Sequence, residues 1–290
     1  MHSEDDIAKL NVRDVRRRFD RAAGSFDDVD FVHRVTRDSL FARLEPMTID
    51  ARTVIDLGSA TGTGSRMLAR RFRRARIIAV DISRNMLLRC RTKKSWFSRV
   101  SVAQANACAL PFADQSVDVV LSNLLLPWID TPAAVFDEVA RVLREDGLFA
   151  FATLGPDSLL ELRRAWTAAD HHAHVNRFFD MHAIGDALVR TGLRDPVLDV
   201  DRLAVSYEST GSLFRDLTAM GARNCLASRN PALVGKHRFQ TMTDALRARD
   251  DGNLIAFELE LIYGHCWGRG ATVSAGDFHI DAGNIPLRTT

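Results

Sequence analysis

The stretch Val54-Ile55-Asp56-Leu57-Gly58-Ser59-Ala60-Thr61-Gly62-Thr63-Gly64 limits the possible folds more than any other, because an apolar run there enters a turn of small residues that opens a helix. Missing or minimal side chains at such a turn bring backbone N–H groups close to a ligand, beside the positive end of the helix. A strand, a tight turn and a helix in that order begin an open parallel sheet. Downstream the rhythm continues. Thr53 to Ile55, Ile77 to Val80, Val100 to Val102, Val117 to Leu121 and Leu148 to Ala152 read as strands, and Met67 to Phe72 and Asn85 to Cys90 read as helices between them. Another helix should start at Thr131-Pro132, with Thr131 as its N-cap, bury Val135, Phe136, Val139 and Leu143, and stop near Gly147.

Two amphipathic helices precede the first strand, over Val12 to Ala22 and from Phe31 to Leu44. Beyond Thr153, helices are expected over Pro156 to Ala169, Met181 to Arg190, Ser212 to Met220 and Pro231 to Arg247, with a loop over His171 to Phe179. Leu193 to Ser206 and Leu254 to Tyr263 are the last strand candidates. The expected organisation is a helical extension over 1–50, an α/β domain over 51–267 with inserted lid segments at about 155–180 and 208–250, and a flexible tail over 268–290.

Composition removes several classes of function. Lys and Arg number 39 against 37 Asp and Glu, a net charge of +2, so the overall field gives no reason to expect nucleic acid. Cys90, Cys108, Cys225 and Cys266 show no C-x-x-C spacing, which suits reduced thiols in a cytoplasmic protein and no zinc site. His171, His172 and His174 lack a matching acidic or cysteine set and read as a polar loop rather than a metal site. The start, Met1 to Asp6, is acidic where a secretory signal needs positive charge. Val117 to Ile129 is interrupted by Asp118, Ser122, Asn123 and Pro127 and is shorter than the roughly 20 residues of a membrane span, so no membrane association is expected.

The alternation of Gly58, Ala60, Gly62 and Gly64 behind Asp56 differs from the dinucleotide pattern G-x-G-x-x-G. It suits a cationic ligand with an amino group and a sulfonium better than a pyrophosphate. Asp81 ends the next strand, where an acidic side chain accepts hydrogen bonds from a ribose diol. After the third strand, Asn106 can accept from an adenine amino group between apolar neighbours.

Asp56 to Gly62, Asp81, Leu110-Pro111-Phe112-Ala113-Asp114 and Arg141 to Gly147 resemble the class I S-adenosylmethionine-dependent methyltransferases. Phe19 to Asp27, Ser122 to Trp128, Thr153 to Arg163, His174 to Phe178, Asp180 to His182 and Tyr263 to Trp267 resemble one family within them, the malonyl-[acyl-carrier protein] O-methyltransferases of biotin synthesis. The same segments also resemble a complex I assembly factor that hydroxylates an arginine. The resemblance implies a Rossmann-like, mostly parallel seven-stranded sheet, and S-adenosylmethionine as cofactor on Asp56, Gly58, Ala60, Gly62, Asp81, Ile82, Asn106, Ala107 and Asn123. It further implies methyl transfer to the carboxylate of a malonyl group on acyl-carrier protein.

This chain departs from the family pattern at Ala60 (usually glycine), Ser59 (usually cysteine or another small residue), Asn106 (usually aspartate) and Phe26 (usually tyrosine). Those departures motivate a second alternative, a non-catalytic S-adenosylmethionine-binding protein. A carboxylate acceptor is already ionised at neutral pH and needs no general base, so catalysis reduces to alignment and exclusion of water. Arg163 is the candidate to grip that carboxylate, with His174 and Trp128 as further lining candidates. The Arg16-Arg17-Arg18 run with Arg21, favoured over Arg70 to Arg76, is the candidate dock for an acidic carrier.

Overall fold

The computed structural model describes residues 9–93, 98–229, 234–247 and 254–269. All of the expected tail except Gly268 and Arg269, and residues 231–233 of the expected Pro231 to Arg247 helix, lie outside the described residues. Seven strands form one sheet: β1 (Thr53–Leu57), β2 (Arg76–Asp81), β3 (Val100–Gln104), β4 (Val117–Asn123), β5 (Leu143–Leu154), β6 (Arg194–Tyr207) and β7 (Ile255–Trp267), in the order β3-β2-β1-β4-β5-β7-β6. Among the described strands β7 alone runs opposite to the other six, so its pairings with β5 and β6 are antiparallel. From β1 the chain proceeds outward through β2 and β3, then returns to place β4 on the other flank. The carboxyl end of β1 therefore lies at the topological switch point where α/β sheets bind ligands.

The central strands are buried on both faces, which is why they read as continuous apolar runs. Alternate residues serve different layers. Ile55, Val80, Val120 and Phe149 pack into one core, while Val54, Ile77, Leu121 and Leu148 pack into the other. The first core includes α5 (Pro132–Val142), whose Phe136 lies 5.9 Å from Phe149, and α7 (Met181–Arg190) through Ile184 and Leu188. The second takes Leu40 and Leu44 of α2 (Phe31–Leu44) and Leu68 of α3 (Thr63–Arg71).

Two local expectations change. The helix α5 ends at Val142 rather than near Gly147, because the Arg141 and Val142 carbonyls accept from Gln115 N and Ser116 N and Leu143 pairs with Val117, so the strand begins at once. Thr131 occupies the N-cap position but its hydroxyl makes no capping bond; Pro132 alone marks the start.

The helix α1 (Val12–Ala22) lies beside α4 (Arg84–Thr92), near the carboxyl edge of the sheet. Its Asp20 carboxylate accepts from Ser83 Oγ at 2.7 Å and Asn85 N at 3.1 Å. Asp27, in the turn after it, pairs with Thr61 of the small-residue turn and with Lys93. The remaining helices, α6 (Leu160–Ala169), α8 (Thr210–Ala219) and α9 (Lys236–Arg247), contribute to a separate apolar cluster around Trp166, Leu213 and Met242.

Candidate active site

A cavity of about 250 Å³ opens at the ends of β1, β2 and β4. Its floor is the turn after β1. Gly58 sits at φ +77°, where its amide and that of Ser59 both donate to the Val80 carbonyl, and a Cβ there would press within 3.1 Å of Leu125. Gly62 sits at φ +80°, and a Cβ on it would collide with Cys90 Sγ. Glycine is required at both by conformation and by space. Ala60 holds φ +45° without that freedom.

Asp81 accepts from Ala60 N at 2.9 Å and Ser83 N at 2.8 Å, and burial pushes its carboxyl up to about 6. Asp56 is buried beneath the turn, accepts from Ser65 Oγ at 2.6 Å, and is likewise pushed up to about 6 by burial. Two desolvated acids at one strand edge favour a ligand that brings positive charge or hydroxyl donors. Asn123 donates to the His33 carbonyl at 3.0 Å while its Oδ1 is buried without a partner, and Ser59 Oγ is buried and unpartnered too. Orphaned acceptors beside a glycine cradle fit the amino and hydroxyl donors of an aminoacyl nucleoside.

A second cavity, of about 660 Å³, lies beyond His33, Leu124 and Trp128, which line both. Its walls come from α1, α2, α6, α8, α9, the loop over 170–180 and residues of β6 and β7. The imidazole of His174 stacks on Trp166 at 3.8 Å with an 11° interplanar angle, and its Nε2 hydrogen-bonds Asp170 Oδ1 at 2.8 Å. Burial alone would raise the Asp170 carboxyl, but the bonds from His174 and the His172 amide outweigh it and hold the group below its ordinary value. Leu124 and Leu159, both lining this cavity, adopt left-handed backbone conformations at φ +57°. Such strain in bulky residues persists only where the surroundings enforce it, and it gathers at functional sites.

Of the residues expected at the cofactor, Gly58, Ala60, Asp81, Ile82, Asn106, Ala107 and Asn123 line the smaller cavity together. Asp56 lines a narrow crevice beside it with Gly58 and Asn123, and Gly62 shapes the turn from behind. The Oδ1 of Asn106 accepts from Cys108 N at 3.1 Å, closing its own loop. His174 and Trp128 line the larger cavity, whereas Arg163 is not among its lining residues and donates to the Pro156 carbonyl at 3.3 Å.

Sequence reasoning missed His33 as a wall common to both cavities. Burial pushes its imidazole down to about 4, so it is neutral at physiological pH. It missed Arg18 and Arg223 as lining residues as well. The only sequence signal for Arg18 was its place in an arginine run; for Arg223 there was none. No group of three metal-ligating side chains and no helix long and apolar enough to cross a membrane occurs among the described residues.

A methyltransferase-domain family model matches residues 55–151. In structure, the chain is similar to the YcgJ protein of Bacillus subtilis, with a TM-score of 0.60 at 18% identity over 81% of this chain and 99% of that one. It is also similar to phosphoethanolamine N-methyltransferase 2 of Haemonchus contortus, solved with S-adenosyl-L-methionine, with a TM-score of 0.55 at 18% identity over 86% of this chain and 57% of that one. These likenesses show the class I methyltransferase fold. In sequence, it is 38% identical to the malonyl-[acyl-carrier protein] O-methyltransferase of Halorhodospira halophila over 97% of this chain and 95% of that one. Against the enzyme of that name from Laribacter hongkongensis the figures are 42%, 87% and 88%. The chain belongs to the malonyl-[acyl-carrier protein] O-methyltransferase family.

Proposed function

We propose that this protein transfers a methyl group from S-adenosylmethionine to the free carboxylate of a malonyl thioester carried on acyl-carrier protein, in the cytoplasm. The observation that carries the proposal is the pair of cavities meeting at His33, Leu124 and Trp128, one ending on strand-end acids and the other large, apolar-walled and lined by arginines. Held in the smaller cavity, S-adenosylmethionine would supply a sulfonium methyl for transfer to a carboxylate oxygen, the electron pair of the broken carbon–sulfur bond remaining on sulfur and no proton needing to move.

The chain's own contributions follow from that chemistry. Asp81 accepts from the ribose hydroxyls, Asn123 Oδ1 and Ser59 Oγ accept from donors of the aminoacyl end, and Asp56 adds negative charge beneath the turn. Ile82 and Ala107 flank the adenine. Neutral His33 closes the junction without acting as a base, which a carboxylate nucleophile does not require. Asp27 ties the amino-terminal helices to the turn after β1 and Asp20 ties them to the start of α4, so residues 9–50, 155–180, 208–229 and 234–247 together act as the cover that excludes water. The exposed Arg16 and Arg17 on α1 offer a docking face for an acidic carrier protein.

The relatives' names favour methyl transfer over the arginine hydroxylase reading. The test is growth: the gene should restore biotin-independent growth to a strain lacking its own malonyl-carrier methyltransferase. Failure to rescue by a protein that binds S-adenosylmethionine would mean a different acceptor. Failure to bind it would mean the cradle reading itself is wrong.

A further inference from the structure

Four arginines line the larger cavity, and two of them have carboxylate partners: Arg229 pairs with Asp14, and Arg238 lies 3.8 Å from Asp170. The other two do not. Among the described residues no carboxylate lies within ion-pair distance of Arg18 or Arg223. Arg18 Nε is buried without a hydrogen-bond partner. The Arg223 guanidinium donates to neutral oxygens alone, Thr218 Oγ1 at 3.1 Å and the Phe214 carbonyl at 3.5 Å, and lies 5.0 Å over the Phe214 ring. Burial, and after it the like charge of Arg18, hold Arg223 below the ordinary guanidinium value. Two half-buried cations that repel each other in a largely apolar wall are costly on their own and are relieved by an entering anion.

The backbone arranges this meeting. Gly221, at φ +78° in the turn after α8, admits α1 so closely that an added Cβ would lie 3.1 Å from Phe19 and 3.4 Å from the Arg18 carbonyl. Phe19, next to Arg18, lines the cofactor cavity and meets Trp128 edge-on at 5.1 Å. Met220 and Ala222, beside Arg223, pack in one cluster with Phe26 and Ala60 of the cradle. The arginine pair thus belongs to the junction side of the larger cavity.

We infer that Arg18 and Arg223 together form the anion site that holds the free carboxylate of the acceptor at the mouth of the cofactor cradle, the task first expected of Arg163. The inference rests on the proposed carboxylate acceptor. Methyl transfer erases that negative charge, so the pair grips the acid and releases the ester. Because the carboxylate carries its full charge in the ground state and less in the transition state, loss of either arginine falls on KM rather than kcat.

The test uses the full chain saturated with S-adenosylhomocysteine and, as probes, malonyl-pantetheine and its methyl ester, followed by calorimetry, with steady-state methyl transfer measured in parallel. Arg18→Gln and Arg223→Gln should each weaken malonyl-pantetheine binding about tenfold or more. Binding of the ester and of S-adenosylhomocysteine should stay within about twofold of wild type. Arg18→Lys and Arg223→Lys should restore part of the loss, and Arg164→Gln, at an exposed arginine on α6, should change nothing. Tm should hold or rise in the glutamine variants, since each removes an uncompensated charge. Unchanged malonyl-pantetheine affinity, equal loss for acid and ester, or failure of the wild type to bind the acid probe would overturn the inference. Wild type that binds the acid but does not methylate it would sink the proposed activity and leave the anion site standing.

Discussion

The two cavities are built on different principles. Most of the smaller cavity is assembled from consecutive strand ends, where β1, β2, β3 and β4 deliver Gly58, Asp81, Asn106 and Asn123 to one edge in chain order. The larger cavity gathers α1, α6, α8, α9, a loop and residues of β6 and β7 from opposite ends of the chain, and four arginines stand among its polar lining residues. On the proposed reading, one would hold its ligand with backbone amides and strand-end acids, the other with aromatic walls and arginines. A fold that keeps the first rigid can vary the second, since strand ends and their turns build most of one while inserted helices and a loop supply much of the other.

That division is open to attack from either side. The largest effect is expected at Asp81. Asp81→Ala removes the half-buried carboxylate proposed to receive the ribose hydroxyls, and calorimetry should show S-adenosylmethionine binding weakened about a hundredfold. At saturating cofactor, KM for the acceptor should not move. A matching rise in both would show that the cavities are not energetically separate.

Acid should reproduce part of this effect. With Asp81 and Asp56 raised to about 6 by burial, their contribution to the stability of the ligand-free protein is present below the ordinary carboxylate value and is lost as pH rises through 6. The pair thus holds protons that a cationic, hydroxyl-donating ligand must displace. Cofactor affinity should be flat above neutrality and fall below 6 by about tenfold per pH unit for each proton displaced, with proton release visible in buffers of different ionisation enthalpy. His33 has the opposite sign: its contribution to stability is present above the ordinary imidazole value and is lost as pH falls through about 4.

A smaller effect is expected in the acceptor cavity at His174. If it served as a general base, His174→Ala would cost about two to four orders of magnitude in kcat. As a wall ring stacked on Trp166 and tied to Asp170, its loss should change kcat by no more than about threefold while KM rises modestly. The smallest effect lies in the cradle's own backbone. Ala60→Gly removes a left-handed alanine and, after the added unfolded-state entropy, should stabilise the protein by about 0.5–1 kcal/mol in urea unfolding.

The cradle was legible in the sequence because its requirements are local. A strand ending in Asp56 and Gly58, and a second ending in Asp81, report their backbone geometry directly in residue type. The acceptor cavity was not legible to the same degree. Arg18 and Arg223, 205 positions apart, line one cavity where Gly221 lets the turn after α8 approach α1, and no periodicity records such a juxtaposition. Asn106 shows a different limit. Its residue type suggested a free acceptor, yet the nearby Cys108 amide takes that oxygen in an Asx-type turn. The end of α5 was misplaced because the apolar Leu143 fits a helical stripe as well as it fits the first position of a strand.

The central claim is that the acceptor is a carboxylate aligned with a methyl donor in the adjoining cradle. It is tested most directly by incubating the protein with methyl-labelled S-adenosylmethionine and either malonyl- or acetyl-loaded acyl-carrier protein. Label should enter the malonyl carrier as a base-labile ester, and the acetyl carrier, which has the thioester but no carboxylate, should stay unlabelled. Equal labelling of the two carriers, or no labelling of the malonyl carrier by protein shown to bind the cofactor, would contradict it.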